Sequence, residues 1–169
     1  MGAIVTRIGV KVCQKVYRGV QAVGLRGEFF NNIDAKGRLS IPAKIRALLQ
    51  EEFGDTQLVV TRTSEALVAY PLSRWEKIQA DVEAMPNGAD KDVIYRNRIS
   101  PAAQSGFDSQ GRIAIPASLR SIARLEKEVV IVGLSDKLEL WSHVRFVEQM
   151  ERSEERLSTM TDQLGSLGF

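Results

Sequence analysis

The sequence predicts a β-rich α+β fold in which one small module is used twice, the two copies sharing a single barrel-like core with helices at its flanks. Three observations lead there. A thirteen-residue motif recurs at a fixed offset, and the residues around it alternate apolar and polar with the period of half-buried strands. Each copy spans about 50 residues, too few to enclose a core alone, so two copies are expected to complete one core between them.

The repeat is read directly. Residues 34–46 are DAKGRLSIPAKIR and residues 108–120 are DSQGRIAIPASLR, a constant offset of 74. Downstream, LVVTR (58–62) resembles VVIVG (129–133) and ALVAYP (66–71) resembles KLELWS (137–142), now at an offset of 71. The second copy has therefore lost three residues between its helix and its next strand.

Each element follows from local punctuation. Asp34 and Asp108 open a turn, where a carboxylate can accept backbone N–H groups two residues on, and Gly37 and Gly111 close it. Leu39 and Ile41 then alternate with Arg38 and Ser40, as Ile113 and Ile115 do with Arg112 and Ala114, predicting a strand that completes a hairpin. Pro42 and Pro116 suit the first turn of a short helix, with Ile45, Leu48 and Leu49, or Leu119, Ile122 and Ala123, on its apolar face. Strands at 58–62 and 66–70, and again at 129–133 and 137–141, form hairpins. Ser73 followed by Glu76 reads as a capping box, opening a helix in which Trp75, Ile78 and Val82 share a face in need of a partner. Met85-Pro86-Asn87-Gly88 ends it, and a short basic segment, 90–98, leads into the second copy. Ser142 starts a charged helix to about residue 164, with Met150, Leu157 and Leu164 at heptad spacing. The expected divisions are 1–24, a first module at 25–72, a helix and connector at 73–100, a second module at 101–142, and a charged helix and tail at 143–169.

Composition narrows the function. No window holds the roughly 18 uninterrupted apolar residues of a membrane helix, so no membrane role is expected. A single cysteine, Cys13, rules out an intramolecular disulfide and fits a reducing, cytoplasmic setting; with the single His143 it supplies too few soft ligands for a zinc site. There is no nucleotide-binding glycine loop after a strand, and each repeated acid is matched by a repeated arginine, which neutralises it rather than poising it for proton transfer. The expectation is no enzyme, no catalytic residues, no metal, no cofactor and no small-molecule substrate. Four of the 23 basic residues, Arg7, Lys11, Lys15 and Arg18, and none of the 21 acidic ones, lie in residues 1–24. That segment reads as a flexible basic arm or an over-extended start. The remainder is slightly acidic, so any nucleic-acid argument rests on where the charges sit.

The paired D-x-x-G-R-[LI]-x-[IL]-P turns, each followed by a short helix with an arginine, resemble the MraZ family of bacterial transcription regulators. RGEFFNNIDAKGRLSIP and KEVVIVGLSDKLELW look like that family's two halves, and the resemblance covers roughly residues 26–160. It implies a duplicated AbrB-like DNA-binding module whose β-hairpins interleave. It further implies a nucleoid-associated regulator acting on repeated elements of its own promoter, in the division and cell-wall gene cluster, and assembling into a homo-oligomeric ring.

The residues are compatible with double-stranded DNA as partner. Arg38, one residue past the turn and opposite Leu39 and Ile41, should project from a hairpin into solvent, with Lys36 at the tip. A two-stranded ribbon fits the major groove, guanidinium can pair two ways with guanine, and lysine suits phosphate. Arg112 is the equivalent of Arg38, while Lys44, Arg46 and Arg120 on the following helices are candidate backbone contacts. The plainer reading has Asp34–Arg38 and Asp108–Arg112 as salt bridges closing their turns, and Arg46 and Arg120 paired with acids of a neighbour. The first copy carries Lys36, Arg38, Lys44 and Arg46 where the second has Gln110, Arg112, Ser118 and Arg120, so the first is expected to be the stronger head. The competing function is a protein-interaction or antitoxin-like module of the same fold.

Overall fold

The computed structural model describes residues 24–168, so the readings of the N-terminal arm and of Cys13 lie outside the described residues. The first copy comprises β1 (Leu25–Asn32), β2 (Arg38–Ser40), α1 (Ala43–Leu48, continued by a wide turn over Leu49–Phe53), β3 (Gln57–Arg62) and β4 (Leu67–Pro71). Helices α2 (Leu72–Glu83) and α3 (Ala89–Ile94) connect to the second, which has β5 (Ala103–Gly106), β6 (Arg112–Ala114), α4 (Ala117–Ala123), β7 (Glu128–Ser135) and β8 (Lys137–Ser142). Helices α5 (His143–Ser158) and α6 (Thr161–Leu167) complete the described chain.

The strands exchange partners between copies. The main sheet has six strands in the order β1-β7-β8-β4-β3-β5, antiparallel throughout. Each copy keeps its own β3–β4 or β7–β8 hairpin, but its first strand crosses over: β1 pairs with β7, and β5 with β3. In the centre, Val68 pairs with Glu139, and in the separate two-stranded ribbon Leu39 pairs with Ile113. Both pairs join a residue to its own repeat equivalent, so one approximate two-fold axis runs through both sheets.

That exchange explains how modules of this size are stable. One continuous cluster of buried residues draws Leu39, Ile41, Ile45, Leu58 and Leu67 from the first copy and Ile113, Ile115, Leu119, Ile131 and Leu140 from the second. A shared core is therefore present. The sheet is open, ending at β1 and β5, and a closed barrel is not what the fold uses.

Several local expectations change. The Asp34 turn does not complete a hairpin. After one bridge, Ile33 to Leu39, the chain leaves β1 and β2 pairs with β6 of the other copy. Ser73 is not a helix cap, because α2 begins after Pro71. The Ser73 N–H and hydroxyl both donate to Asp55 Oδ2 at 3.0 and 2.8 Å, so an acid 18 residues upstream takes the role given to Glu76. Trp75 and Val82 are already buried within one chain, with the Trp75 ring 5.9 Å from Tyr70, and Ile78 is half-buried, so most of that face is covered without a partner. The segment 90–98 contains α3 and a wide final turn, opened by Gly88 with Asp90 and Asp92 near the helix start. Ser142 does cap α5, accepting from the Arg145 N–H, but the helix stops at Ser158 and α6 follows, which interrupts the heptad seam.

Candidate functional site

The two motif turns meet across the two-fold axis at the β2–β6 ribbon. Within each, one aspartate organises the loop. Asp34 Oδ1 accepts the N–H groups of Lys36 (3.0 Å) and Arg38 (2.9 Å), and Asp108 Oδ1 those of Gln110 and Arg112 (both 2.9 Å). The second carboxylate oxygen takes the arginine: Arg38 Nε and Nη2 lie 2.7 and 2.6 Å from Asp34 Oδ2, Arg112 Nε and Nη2 2.9 and 2.8 Å from Asp108 Oδ2. Gly37 and Gly111 have φ of +77° and +73°, the left-handed region that a residue without Cβ enters at little cost.

These bonds favour the ionised acids. The Arg38 side chain, then its backbone N–H, hold Asp34 at about 2 against an ordinary 3.8. The Arg112 N–H, then its side chain, lower Asp108 in the same way. The turns are thus closed by the salt bridges of the plainer reading. Arg38 does not project freely: it is half-buried and braced against Asp34.

Bracing does not consume it. With Nε and one Nη2 hydrogen committed, both Nη1 hydrogens and one on Nη2 make no hydrogen bond among the described residues, which leaves the end of the fork available. Arg112 is more committed. Its Nη1 also lies 3.7 Å from Asp34 Oδ2, across the axis, and its side chain is 23% exposed against 34% for Arg38. The two arginines occupy equivalent places with unequal freedom.

Arg46 and Arg120 meet no acid among the described residues, and each serves the other copy. Arg46 Nε donates to the Ile41 carbonyl and Arg120 Nε to that of Ile115, both at 3.1 Å. Their guanidinium planes then lie on the opposite glycine. A Cβ at Gly37 would come within 2.7 Å of Arg120 Nε, and one at Gly111 within 2.5 Å of Arg46 Cζ. Backbone bonds repeat the crossing, Ile41 N–H to the Gly111 carbonyl (3.0 Å) and Ile115 N–H to that of Gly37 (2.9 Å). A motif glycine therefore has two duties, a left-handed turn and a seat for the partner copy's arginine. Sequence reasoning found the first; the second becomes visible only when the copies are paired.

Lys36 and Lys44 are exposed, and their ammonium groups make no hydrogen bond or ion pair among the described residues. Lys36 sits at the tip of the first turn and Lys44 on α1, whose neighbour Arg46 leans on the second turn. All six candidate residues, Lys36, Arg38, Lys44, Arg46, Arg112 and Arg120, thus belong to the turns or to the helices that follow them. Their grouping by copy is not their grouping in space.

A second reciprocal set lies at the far end of the hairpins and was missed in the sequence. The 71-residue offset continues into the helices, matching Arg74 to Arg145, Trp75 to Phe146 and Glu65 to Asp136. Arg74 Nε donates to Asp136 Oδ2 (2.8 Å), while Arg145 Nη1 donates to the Glu65 carbonyl (2.8 Å) and Arg152 engages the Glu65 carboxylate (2.8 and 3.1 Å). Each copy's helix braces the other copy's hairpin tip. Extending the repeat alignment past Pro71 would have found it. His143, 3.6 Å from Glu128 and edge-on to Phe30, opens α5 beside these contacts. No group of three or more His, Cys, Asp or Glu able to hold a metal occurs among the described residues.

Comparison with known proteins agrees with the duplication. A family model described as "MraZ protein, putative antitoxin-like" matches twice, over residues 25–94 and 99–165. The chain is 44% identical over 147 residues to a protein of Syntrophotalea carbinolica named "Transcriptional regulator MraZ", covering 85% of this chain and 98% of that relative. Relatives of the same name from Pediococcus pentosaceus (39% over 145 residues) and Halothermothrix orenii (37% over 143) cover 85% and 82% of this chain and 98% and 97% of their own lengths. By its twice-matched module and its near full-length kinship with these relatives, the chain belongs to the MraZ family, whose members here are named as transcriptional regulators.

Proposed function

We propose that the protein is a sequence-specific DNA-binding transcription regulator whose reading head is the pair of crossed turns, acting on its own promoter in the division and cell-wall gene cluster. The observation that carries this reading is the state of Arg38. A carboxylate fixes one side of its guanidinium and leaves the Nη1/Nη2 end uncommitted at the edge of a two-stranded ribbon. A braced guanidinium loses little freedom on pairing with guanine O6 and N7, and Lys36 beside it supplies a point charge for phosphate. Lys44 is a further backbone contact; Arg46, Arg112 and Arg120 hold the turns and add positive field.

The same reading places the protein in the cytoplasm, on the nucleoid, as a homo-oligomeric ring. Phe30, Val144, Val147, Met150 and Leu157 are exposed apolar side chains on β1 and α5 and supply a surface for subunit contact. A monomer at micromolar concentration by mass measurement would refute the assembly. A second reading, a protein-interaction or antitoxin-like module, draws on the wording of the family description and on that α5 face. A footprint over DNA upstream of the protein's own gene separates them. Salt-sensitive protection of repeated elements is expected; absence of protection, with tight binding to a co-encoded protein, would favour the second reading.

A further inference from the structure

Both copies contribute cations where they meet. Lys36 stands at the tip of the first turn, next to Gly37, and Gly37 carries the guanidinium of Arg120 from α4 of the second copy. Arg124 follows Arg120 by four residues and is the residue that ends α4. Arg120 and Arg124 line one surface groove of about 330 Å³ with Ala117, Ser121, Leu125 and Glu126. Arg124 is exposed and its guanidinium makes no hydrogen bond or ion pair among the described residues, with Glu126 included.

Arg124 gains from the helix dipole at the C-terminal end of α4, yet its backbone is one that favours glycine. It ends α4 in the left-handed conformation, φ +53°, where the first copy ends its helix with Gly54 at φ +67°. A side chain at such a position is disfavoured relative to glycine, and a like charge four residues away adds repulsion. Neither feature helps α4 to form. An anion in the groove would offset both.

Resting on the DNA-binding reading above, we propose that Lys36, Arg120 and Arg124 form a composite track for the phosphodiester backbone, with Arg124 a phosphate contact of the head read by Arg38. The track belongs to neither copy: its tip comes from the first and its wall from the second. The symmetry-related path runs from Gln110 past Arg46 to Gln50, which replaces both end cations with amides. One DNA strand is therefore gripped beside the first turn more firmly than beside the second.

The test is a salt titration of the full chain, in its assembled state, on a duplex from upstream of its own gene and on an unrelated duplex. Variants are Arg124→Gly and Arg124→Lys, each with a thermal melt. Because glycine suits the backbone, Arg124→Gly should melt at the wild-type temperature or above. It should lose affinity about three- to tenfold on both duplexes, with the slope of log K against log salt shallower by about 1 per engaged head. Arg124→Lys should retain most of the affinity, since phosphate accepts a point charge. If the wild type binds and Arg124→Gly binds equally well at every salt, the track is wrong and the reading head stands. A fall in melting temperature together with affinity would make Arg124 a structural residue and overturn the proposal. A wild type with no salt-sensitive binding would defeat the DNA-binding reading itself.

Discussion

Asp34 links the chemistry of the turn to its stability. Its ionised form is the one the fold favours, being held at about 2 rather than 3.8. A carboxyl group whose folded value is depressed contributes stability above its unfolded value and loses it as the pH falls toward the folded one. Asp34→Asn should therefore be less stable than the wild type at pH 7, and the gap should close between about pH 4 and pH 2. Urea denaturation across that range checks it, and a gap independent of pH would show that ionisation of Asp34 is not what holds the turn. At this scale the turn was legible, because Asp, Gly and Arg act on neighbours within four residues. The seats of Arg46 and Arg120 were not, because their contacts are set by a turn on the other copy.

Among the elements, the reciprocal bracing of hairpin tips by α2 and α5 ties the two halves together. Its contacts differ in kind. Arg145 donates to two carbonyls, those of Glu65 and Ile122, whereas Arg152 pairs with the Glu65 carboxylate at a surface where both side chains are well exposed. Arg145→Ala should cost about 1–2 kcal/mol, as it removes two charge-assisted bonds, one of them to the part-buried Glu65 carbonyl. Arg152→Ala should cost less than about 1 kcal/mol, the usual value of an exposed pair. Chemical denaturation of both variants gives the ranking, and the reverse order would contradict it. The hairpins were legible from paired apolar runs, LVVTR with ALVAYP and VVIVG with KLELWS, joined by hairpin-sized connections. The start of α2 was misread because a capping box is judged on residues three apart in sequence, while Asp55 reaches Ser73 through the fold.

For the whole molecule, the repeat announced two modules but carried no information on which strand pairs with which. Self-similarity is the same whether the modules sit side by side or exchange strands. The exchange has a consequence for cutting the chain at the exposed segment Pro86–Gly88. Fragments 24–86 and 87–168 should fold on mixing, because β1–β7, β3–β5, β4–β8 and β2–β6 all join the two. The second fragment alone should remain unfolded. Pairing with itself would set Glu139 against Glu139 on the axis, where like charges directly opposite are destabilising. Circular dichroism and native mass spectrometry would report this, and two independently folded monomeric fragments would contradict the shared core.

On the proposed function, the crossed turns read DNA, with Arg38 as the stronger reader. The structure supplies a reason for the inequality that the sequence did not: Arg112 has a second aspartate, Asp34, near the end of its fork. Arg38→Lys and Arg112→Lys keep the charge and a point contact to the aspartates while removing the planar fork. The direct measurement is a titration of each assembled variant on the upstream duplex at fixed salt. Arg38→Lys should lose about 1–3 kcal/mol per engaged site, the value of a bidentate base contact, and should also bind upstream and unrelated DNA more nearly alike. Arg112→Lys should lose less. An Arg38→Lys protein that retains wild-type affinity and discrimination, or a larger loss in Arg112→Lys, would contradict the account.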